Sequence, residues 1–360
     1  MQHLKLITTA SLLTGLLVTP LTRTAAQAGK APAKLYQPQK APPRRRRATA
    51  ELPDDSALPG LMAIREAYLA GAIMFPGNRP IELVLRGYTP GSRATLEARA
   101  GRHRVAFKAY AENPAPEAAL YEALATAGLA GTSGVRVPPL LAWDPNLRVL
   151  VMGWLEGPTA RELVKTGQGK RAGDLGARWI QQAASLPVKL GPPLAATAIL
   201  CRSRQWVAAL GGVDPALGAA ATVVAAKLGR TQPKEGVANL VHGTLYDCHV
   251  LDLGDGPGVI DWQRFGQGPL ELDAGMFLAT IWRIALRDEP FAGEAASAEQ
   301  AFLAGTASLL DKRTLAWYRA AALLRIAANK VRVVKRRKVG WRARAYALLG
   351  EASQFAEAAG

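Results

Sequence analysis

Val241-His-Gly-Thr-Leu-Tyr-Asp-Cys-His-Val250, followed after a glycine-rich turn by Val259-Ile-Asp-Trp262, is the stretch on which the reading of this chain turns. Short apolar runs at Leu240, Val250 and Val259 are separated by turn residues, so residues 240–262 read as strand-turn-strand with polar side chains crowded at the strand ends. The surroundings are different. From Gly157 onward the apolar spacing is helical apart from this one hairpin. Upstream, Ile81–Tyr88, Ala94–Ala100 and His103–Tyr110 read as three short strands split by the Thr89-Pro90-Gly91-Ser92 and Ala100-Gly101 turns, an antiparallel meander. Pro59–Ala72 has helical spacing ahead of them, and a further helix is expected after Pro116, a residue suited to the first helical turn. Glu117, Leu120, Tyr121 and Leu124 share one face of that helix. Val137–Trp143 and Leu147–Trp154, joined by Asp144-Pro145-Asn146, add two strands.

Composition bounds the answer. The 360 residues, 49% hydrophobic and 20% charged, are enough for a large core, which excludes a disordered chain, a collagen repeat and a mini-protein. The formal net charge of +17 is local: nine Lys/Arg fall in residues 1–50 and eight in 330–344, neither segment holds Asp or Glu, and the remaining 28 positive charges match 28 acids. A nucleic-acid-binding fold spreads its basic face over the domain, so no specific nucleic-acid partner is expected. Cys201 and Cys248 are too few for a disulfide framework, and four histidines without a CxxC pair argue against a multi-His metal centre. Lys5, the apolar stretch Leu6–Leu21 and Ala26-Gln27-Ala28 look like a secretory signal over 1–28, too short and polar for a stable membrane span. Residues 29–58, rich in Pro, Ala, Gln and Arg and containing Arg44–Arg47, read as a disordered linker.

A five-stranded sheet with one helix, then a mostly helical half with one hairpin, is the order of an α+β, bilobal protein kinase-like fold: an N-lobe at 59–156 and a helical C-lobe at 157–360. Lys108, in Val105-Ala-Phe-Lys108 on the third strand, stands where kinases place the lysine that grips the α- and β-phosphates of ATP. Glu117 is its expected partner, with Glu122, off the Leu120/Leu124 stripe, as the fallback, because a lysine in a cleft needs a carboxylate to stay charged and oriented. The 241–262 stretch resembles the catalytic loop and metal-binding segment of the aminoglycoside phosphotransferase and choline kinase-like family, whose loop reads His-Gly-Asp, four residues, Asn, with Ile-Asp-Trp or Ile-Asp-Phe nearby. The resemblance runs over roughly 58–350. It includes Tyr88–Arg93 as the phosphate-covering turn with Gly91 and Ser92, the hinge-like Val151-Met-Gly-Trp-Leu-Glu-Gly157 with Trp154 at the nucleotide, and Gly268-Pro-Leu-Glu-Leu-Asp273.

Two departures fall on the chemistry. By the family spacing Thr244 replaces the catalytic aspartate and His249 the asparagine that helps to hold magnesium. Thr244 can position a hydroxyl but cannot accept its proton near neutral pH. Phosphoryl transfer asks mainly for alignment and charge neutralisation, so a missing base slows the reaction without necessarily abolishing it. Asp247 is the carboxylate available as a stand-in. Asp261 remains as a metal ligand for the Mg²⁺ of ATP, and an imidazole at 249 favours Mn²⁺ or Zn²⁺ over Mg²⁺.

Plainer readings stand beside these. Gly91 and Ser92 make an ordinary hairpin turn; His242 organises the loop from a buried position rather than catalysing; Asp261 is a strand-end residue; Asp273 is a cap or a buried hydrogen-bond partner; Trp262, Trp282, Trp317 and Trp341 are packing. Lys330–Arg344 is a solvated helical face or, alternatively, a cationic wall that draws in an acidic substrate. Three functions follow: an ATP-dependent phosphotransferase acting on a hydroxyl of a small molecule, a pseudokinase serving as a nucleotide-binding or regulatory module, and an exported scaffold. ATP use places the protein in the cytoplasm, whereas a true signal over 1–28 places it in the periplasm or outside the cell. The basic C-terminal half argues against an aminoglycoside acceptor. The sequence does not fix the oligomeric state.

Overall fold

The computed structural model describes residues 52–71, 73–75, 79–234, 236–332 and 340–360. The signal-like stretch, the Arg44–Arg47 run and Lys335–Lys338 of the basic segment lie outside the described residues. The chain divides into two compact units, one reaching Ala118 and including Leu140–Trp154, the other made of Ala119–Pro139 and Leu155–Gly360.

The first unit is built on an antiparallel sheet of β1 (Glu82–Thr89), β2 (Arg93–Ala100), β3 (His103–Tyr110), β4 (Leu140–Asp144) and β5 (Val149–Gly153), in the order β1-β2-β3-β5-β4. Residue alternation sorts its two faces. Leu96 opposite Phe107, Ala98 opposite Val105 and Ala94 opposite Ala109 turn toward helix α1 (Pro59–Leu69), whose Leu61 and Ile64 are buried with them. Thr95 opposite Lys108 and Glu97 opposite Ala106 turn the other way, so the register that builds the core also sets Lys108 on the face α1 leaves open. β4 starts at Leu140 rather than Val137. Pro138 and Pro139 have no N–H for the ladder, and Arg136, which belongs to the second unit, pairs there with Gly258.

The expected linker does not extend to residue 58. Leu58 is fully buried and Asp55 bonds the β1–β2 turn, so the folded chain includes residues 52–58.

Helix α2 (Ala115–Thr126) follows β3. The second unit carries α3 (Ala160–Lys165), α4 (Gly169–Ala184), α5 (Ala196–Gly211) and α6 (Pro215–Arg230), then α7 (Leu270–Arg287), α8 (Ala292–Thr306), α9 (Lys312–Arg332) and α10 (Trp341–Ala358). Helix α9 is its axis: Trp317, Leu323, Leu324 and Ala327 are fully buried, and the Trp317 indole donates to Leu228 O at 2.9 Å. The expected single hairpin is two short antiparallel pairs: β7 (Val250–Asp252) with β8 (Pro257–Val259), and β6 (Asn239–Val241) with β9 (Gly266–Gly268). Residues 242–249 loop out between them. This mixed architecture, with its five-stranded sheet and helical C-terminal part, is the kinase-like one expected.

If residues 58–69 belong to the first unit's core, Leu61→Ala should cost about 2–5 kcal/mol, the usual range for a buried leucine. Urea unfolding of wild type and variant measures this, and a loss below ~1 kcal/mol would place α1 outside the core.

Candidate active site

Within the first unit, Lys108 Nζ donates to Glu117 Oε1 at 2.7 Å and Tyr110 Oη donates to Glu117 Oε2 at 2.8 Å. Both charged side chains are almost completely buried. β3 supplies Lys108 and Tyr110 on one face, two residues apart, and the first turn of α2 supplies Glu117. Each partner answers the other's buried charge, which keeps the ammonium in place before any ligand arrives. Burial pushes the Tyr110 phenol well above its ordinary pKa, so it stays a donor. Tyr110 escaped the sequence reading, although its place two residues past Lys108 was a usable signal.

The turn expected to cover phosphates is engaged elsewhere. Gly91 adopts φ +65°, which its missing Cβ permits, and its N–H donates to Asp55 Oδ2 at 2.8 Å. Tyr88 Oη donates to the same oxygen at 2.8 Å, and these bonds hold the Asp55 carboxyl below its ordinary pKa. Ser92 closes the hairpin, its N–H on Thr89 O and its carbonyl accepting from Ala111. Gly91 and Ser92 therefore act here as a braced hairpin turn, with a carboxylate where a phosphate cradle was expected. Trp154 lies 5.8 Å from the Arg86 guanidinium and 5.0 Å from that of Arg104. Both arginines pair with Glu97, which is fully buried on the Lys108 face of the sheet. No sequence signal pointed to that cluster.

In the second unit the β7–β8 register sets Val250 against Val259, so the next residues outward, His249 and Ile260, stand together, and Ile260 N–H donates to His249 O at 3.0 Å. Asp261 follows with φ +71°, one of two non-glycine residues with positive φ among the described residues. For an aspartate that conformation is uncommon and is a form of local strain. His249 Nδ1 donates to Thr244 O at 2.9 Å, so in the neutral ring Nε2 carries the lone pair, 3.6 Å from Asp261 Oδ2. A nitrogen and a carboxylate oxygen so spaced can be bridged by one divalent cation with bonds of roughly 2 Å. The backbone carbonyl behind the imidazole fixes its tautomer, as is usual for metal-binding histidines.

His242 is fully buried. Its Nε2–H donates to Ile260 O at 2.9 Å, which leaves Nδ1 as an acceptor for Thr244 Oγ1 at 3.4 Å. Trp262 packs against the ring at 4.8 Å, meets Trp179 edge-on at 5.3 Å and donates its indole N–H to Val259 O. Asp273, in the first turn of α7, accepts from the amides of His242 at 2.5 Å and Gly243 at 2.8 Å. It is a buried hydrogen-bond partner rather than a cap, and burial raises its pKa to about 7 against the two amide bonds. Gly243 has φ +73°, and a Cβ there would lie 2.1 Å from Arg264 O. Only glycine fits between the two backbones.

Asp247 is not placed to serve as a base. It is fully buried, Arg161 grips it through Nε at 2.8 Å and Nη2 at 2.5 Å, Arg283 lies 3.8 Å away, and its amide donates to Thr280 Oγ1. Both carboxylate oxygens are occupied by a guanidinium fork, so its role is to anchor the loop to α3 and α7. The pairing of residues 161 and 247, far apart in sequence, had no local signature.

Residues 92–311, well over half of the chain, match the model of the phosphotransferase enzyme family. Solved structures share the fold. A choline/ethanolamine kinase family protein from Mesorhizobium loti is 19% identical over 81% of this chain and 94% of its own, with a TM-score of 0.51. A thermostable mutant of aminoglycoside phosphotransferase APH(4)-Ia is 14% identical over 77% and 95%, with a TM-score of 0.56. Choline kinase LicA from Streptococcus pneumoniae is 12% identical over 76% and 94%, with a TM-score of 0.53. The APH(4)-Ia mutants include ternary complexes with ADP or AMP-PNP and hygromycin B. No match to a curated protein was found.

An anchoring role makes Asp247→Ala a stability variant: stranding Arg161 and Arg283 should cost about 3–5 kcal/mol, read by chemical denaturation. A loss of activity at unchanged stability would return Asp247 to the chemistry. For Asp273 the folded pKa lies above the unfolded value of 3.8, so the folded state binds the extra proton and this group's contribution to stability falls as pH rises from about 4 to about 7. Asp273→Asn should be less stable overall and should lack that slope. Parallel stability-pH curves for the two proteins would contradict it.

Proposed function

This chain belongs to the phosphotransferase enzyme family, and on that premise we propose that it transfers the γ-phosphoryl group of ATP to a hydroxyl of a small molecule. The observation that carries the reading is the His249–Asp261 pair: a carboxylate held in a strained backbone conformation beside an imidazole whose lone pair is turned toward it. These two residues would hold a divalent cation, and a cation so bound supplies charge neutralisation on phosphate oxygens. Lys108, oriented by Glu117, would neutralise the α- and β-phosphates. Trp154 would border the nucleotide.

Thr244 takes the acceptor side. Its hydroxyl hydrogen is directed to His242 Nδ1, which leaves an oxygen lone pair to accept from the acceptor's O–H. The acceptor proton then has a route, to Thr244 Oγ1 as the threonine proton passes to His242 Nδ1. Since Asp247 is engaged by Arg161, this two-residue relay is the base the loop offers. The loose transition state of phosphoryl transfer needs such help only late, so a weak base is compatible with slow turnover.

The Asp55 carboxylate on the Gly91 amide and the Glu97 cluster beside Lys108 favour a second reading, a nucleotide-binding or regulatory pseudokinase. Turnover separates the two. Under the phosphotransferase reading, Mg-ATP or Mn-ATP raises the melting temperature, Lys108→Ala removes most of that shift, and Thr244→Asp raises ATP turnover by roughly 10²–10⁴-fold. His249→Asn moves the metal preference from Mn²⁺ toward Mg²⁺. Binding without turnover in wild type and Thr244→Asp alike leaves the pseudokinase; no thermal shift with any nucleotide-metal pair removes the phosphotransferase and the nucleotide-binding form of the pseudokinase.

A further inference from the structure

The lysine–glutamate couple of the first unit has a third member, Tyr110. Lys108 and Tyr110 stand two residues apart on β3, so both side chains leave the same face of the sheet, and each donates to a different oxygen of Glu117: Lys108 Nζ to Oε1 at 2.7 Å, Tyr110 Oη to Oε2 at 2.8 Å. All three side chains are buried, and both carboxylate oxygens are engaged.

The three are not held alike. Lys108 and Tyr110 are fixed by the sheet: on β2, Thr95 stands opposite Lys108 and Arg93 opposite Tyr110, and the Tyr110 N–H donates to Arg148 O at 3.0 Å. Glu117 belongs to α2, beyond the connection 111–114, and its long side chain has several rotamers open to it. No ladder bond ties it to the sheet. Of its two ties, the one to Lys108 conflicts with function, because an ammonium that turns to the phosphates of a nucleotide weakens its bond to the carboxylate as it does so. The phenol has no such second duty. Burial raises its pKa well above the ordinary value, so it donates across the neutral range.

The hydroxyl, rather than the ring, carries this role. Lys108 Nζ lies 5.7 Å from the centre of the Tyr110 ring, within cation–π reach, so the ring meets the ammonium and the hydroxyl meets its counter-ion. A phenylalanine at this position keeps the first contact and loses the second.

We propose that Tyr110 is a positioning residue for Lys108: its hydroxyl holds Glu117 in place from the strand that carries the lysine, so that the ammonium keeps one aim with or without phosphates beside it. The hold on Lys108 stands on the geometry alone; its consequence for nucleotide phosphates rests on the phosphotransferase reading.

Competitive labelling of the full chain with acetic anhydride, read by mass spectrometry of the peptide containing Lys108, tests the first half without a nucleotide. Tyr110→Phe raises the labelling rate of Lys108 by roughly 2–10-fold, the worth of one hydrogen bond. In a Glu117→Ala background the same change adds nothing, because the phenol acts through the carboxylate, whereas a plain packing defect raises labelling in both backgrounds. Replacing Tyr110 by p-aminophenylalanine, which keeps the ring and a para N–H donor, restores slow labelling; should Tyr110→Phe not fold, this variant decides alone. For the second half, calorimetry with ADP and with adenosine reads the phosphate contact: Tyr110→Phe weakens ADP by a similar factor and leaves adenosine, which offers Lys108 no phosphate, unchanged. Labelling of Lys108 that is the same in wild type and Tyr110→Phe, that rises equally with and without Glu117, or that stays fast with p-aminophenylalanine overturns the proposal. A wild type that binds neither ADP nor ATP while the labelling pattern holds removes the phosphotransferase and leaves Tyr110 its hold on Lys108. ADP binding that Tyr110→Phe leaves untouched, or that weakens only as much as adenosine binding does, removes Tyr110 from the phosphate contact and leaves the phosphotransferase.

Discussion

The arrangement of the loop depends on one buried carboxylate. Asp273 takes the amides of His242 and Gly243, and that pair of bonds ties the loop to the start of α7. The consequences run outward from it. With the His242 backbone fixed, its ring lies between Ile260 and Thr244; with Gly243 fixed, its carbonyl is presented to Arg325. At full burial its pKa is raised from 3.8 to about 7, because the cost of desolvating the carboxylate outweighs the two amide bonds that favour its charged form. The loop is thus held by hydrogen bonds to backbone that no side-chain pattern advertises.

That explains which parts were legible. β1 to β3, the Lys108–Glu117 couple and the helical second half follow from period and turn chemistry, both of which are local. The start of β4 was misplaced because Val137 carries the right side chain while Pro138 and Pro139 remove the ladder donors. Gly91 looked like a phosphate turn because a glycine's φ can be guessed from sequence, whereas the destination of its amide cannot: Asp55 lies 36 residues away in chain that composition alone assigned to a linker. Asp247 failed for the same reason. A loop carboxylate reads as reactive until Arg161 is seen on both of its oxygens. Thr244 and His249 were identified by spacing, and the hairpin register then supplied what spacing could not, the tautomers set by Ile260 and Thr244.

Charge distribution separates the two units' surroundings in a similar way. On the Lys108 face each buried charge has a buried or half-buried opposite: Glu117 for Lys108, Arg86 and Arg104 for Glu97. In the second unit the Gly243 carbonyl accepts from Arg325, whose pKa burial lowers, while the Gly243 amide donates to the buried Asp273. The formally neutral body of the chain conceals this difference, because net charge averages over both.

The anchoring of the loop by Arg161 and Asp247 also has a thermal consequence. The penalty for keeping ions out of water falls as temperature rises, while the gain from burying apolar area levels off. The apolar packing around Trp317 and Leu323 and the ionic clamp on the loop therefore respond differently to heating. Near the upper end of the folded range the clamp's share of the loop's stability is therefore larger than it is in the cold.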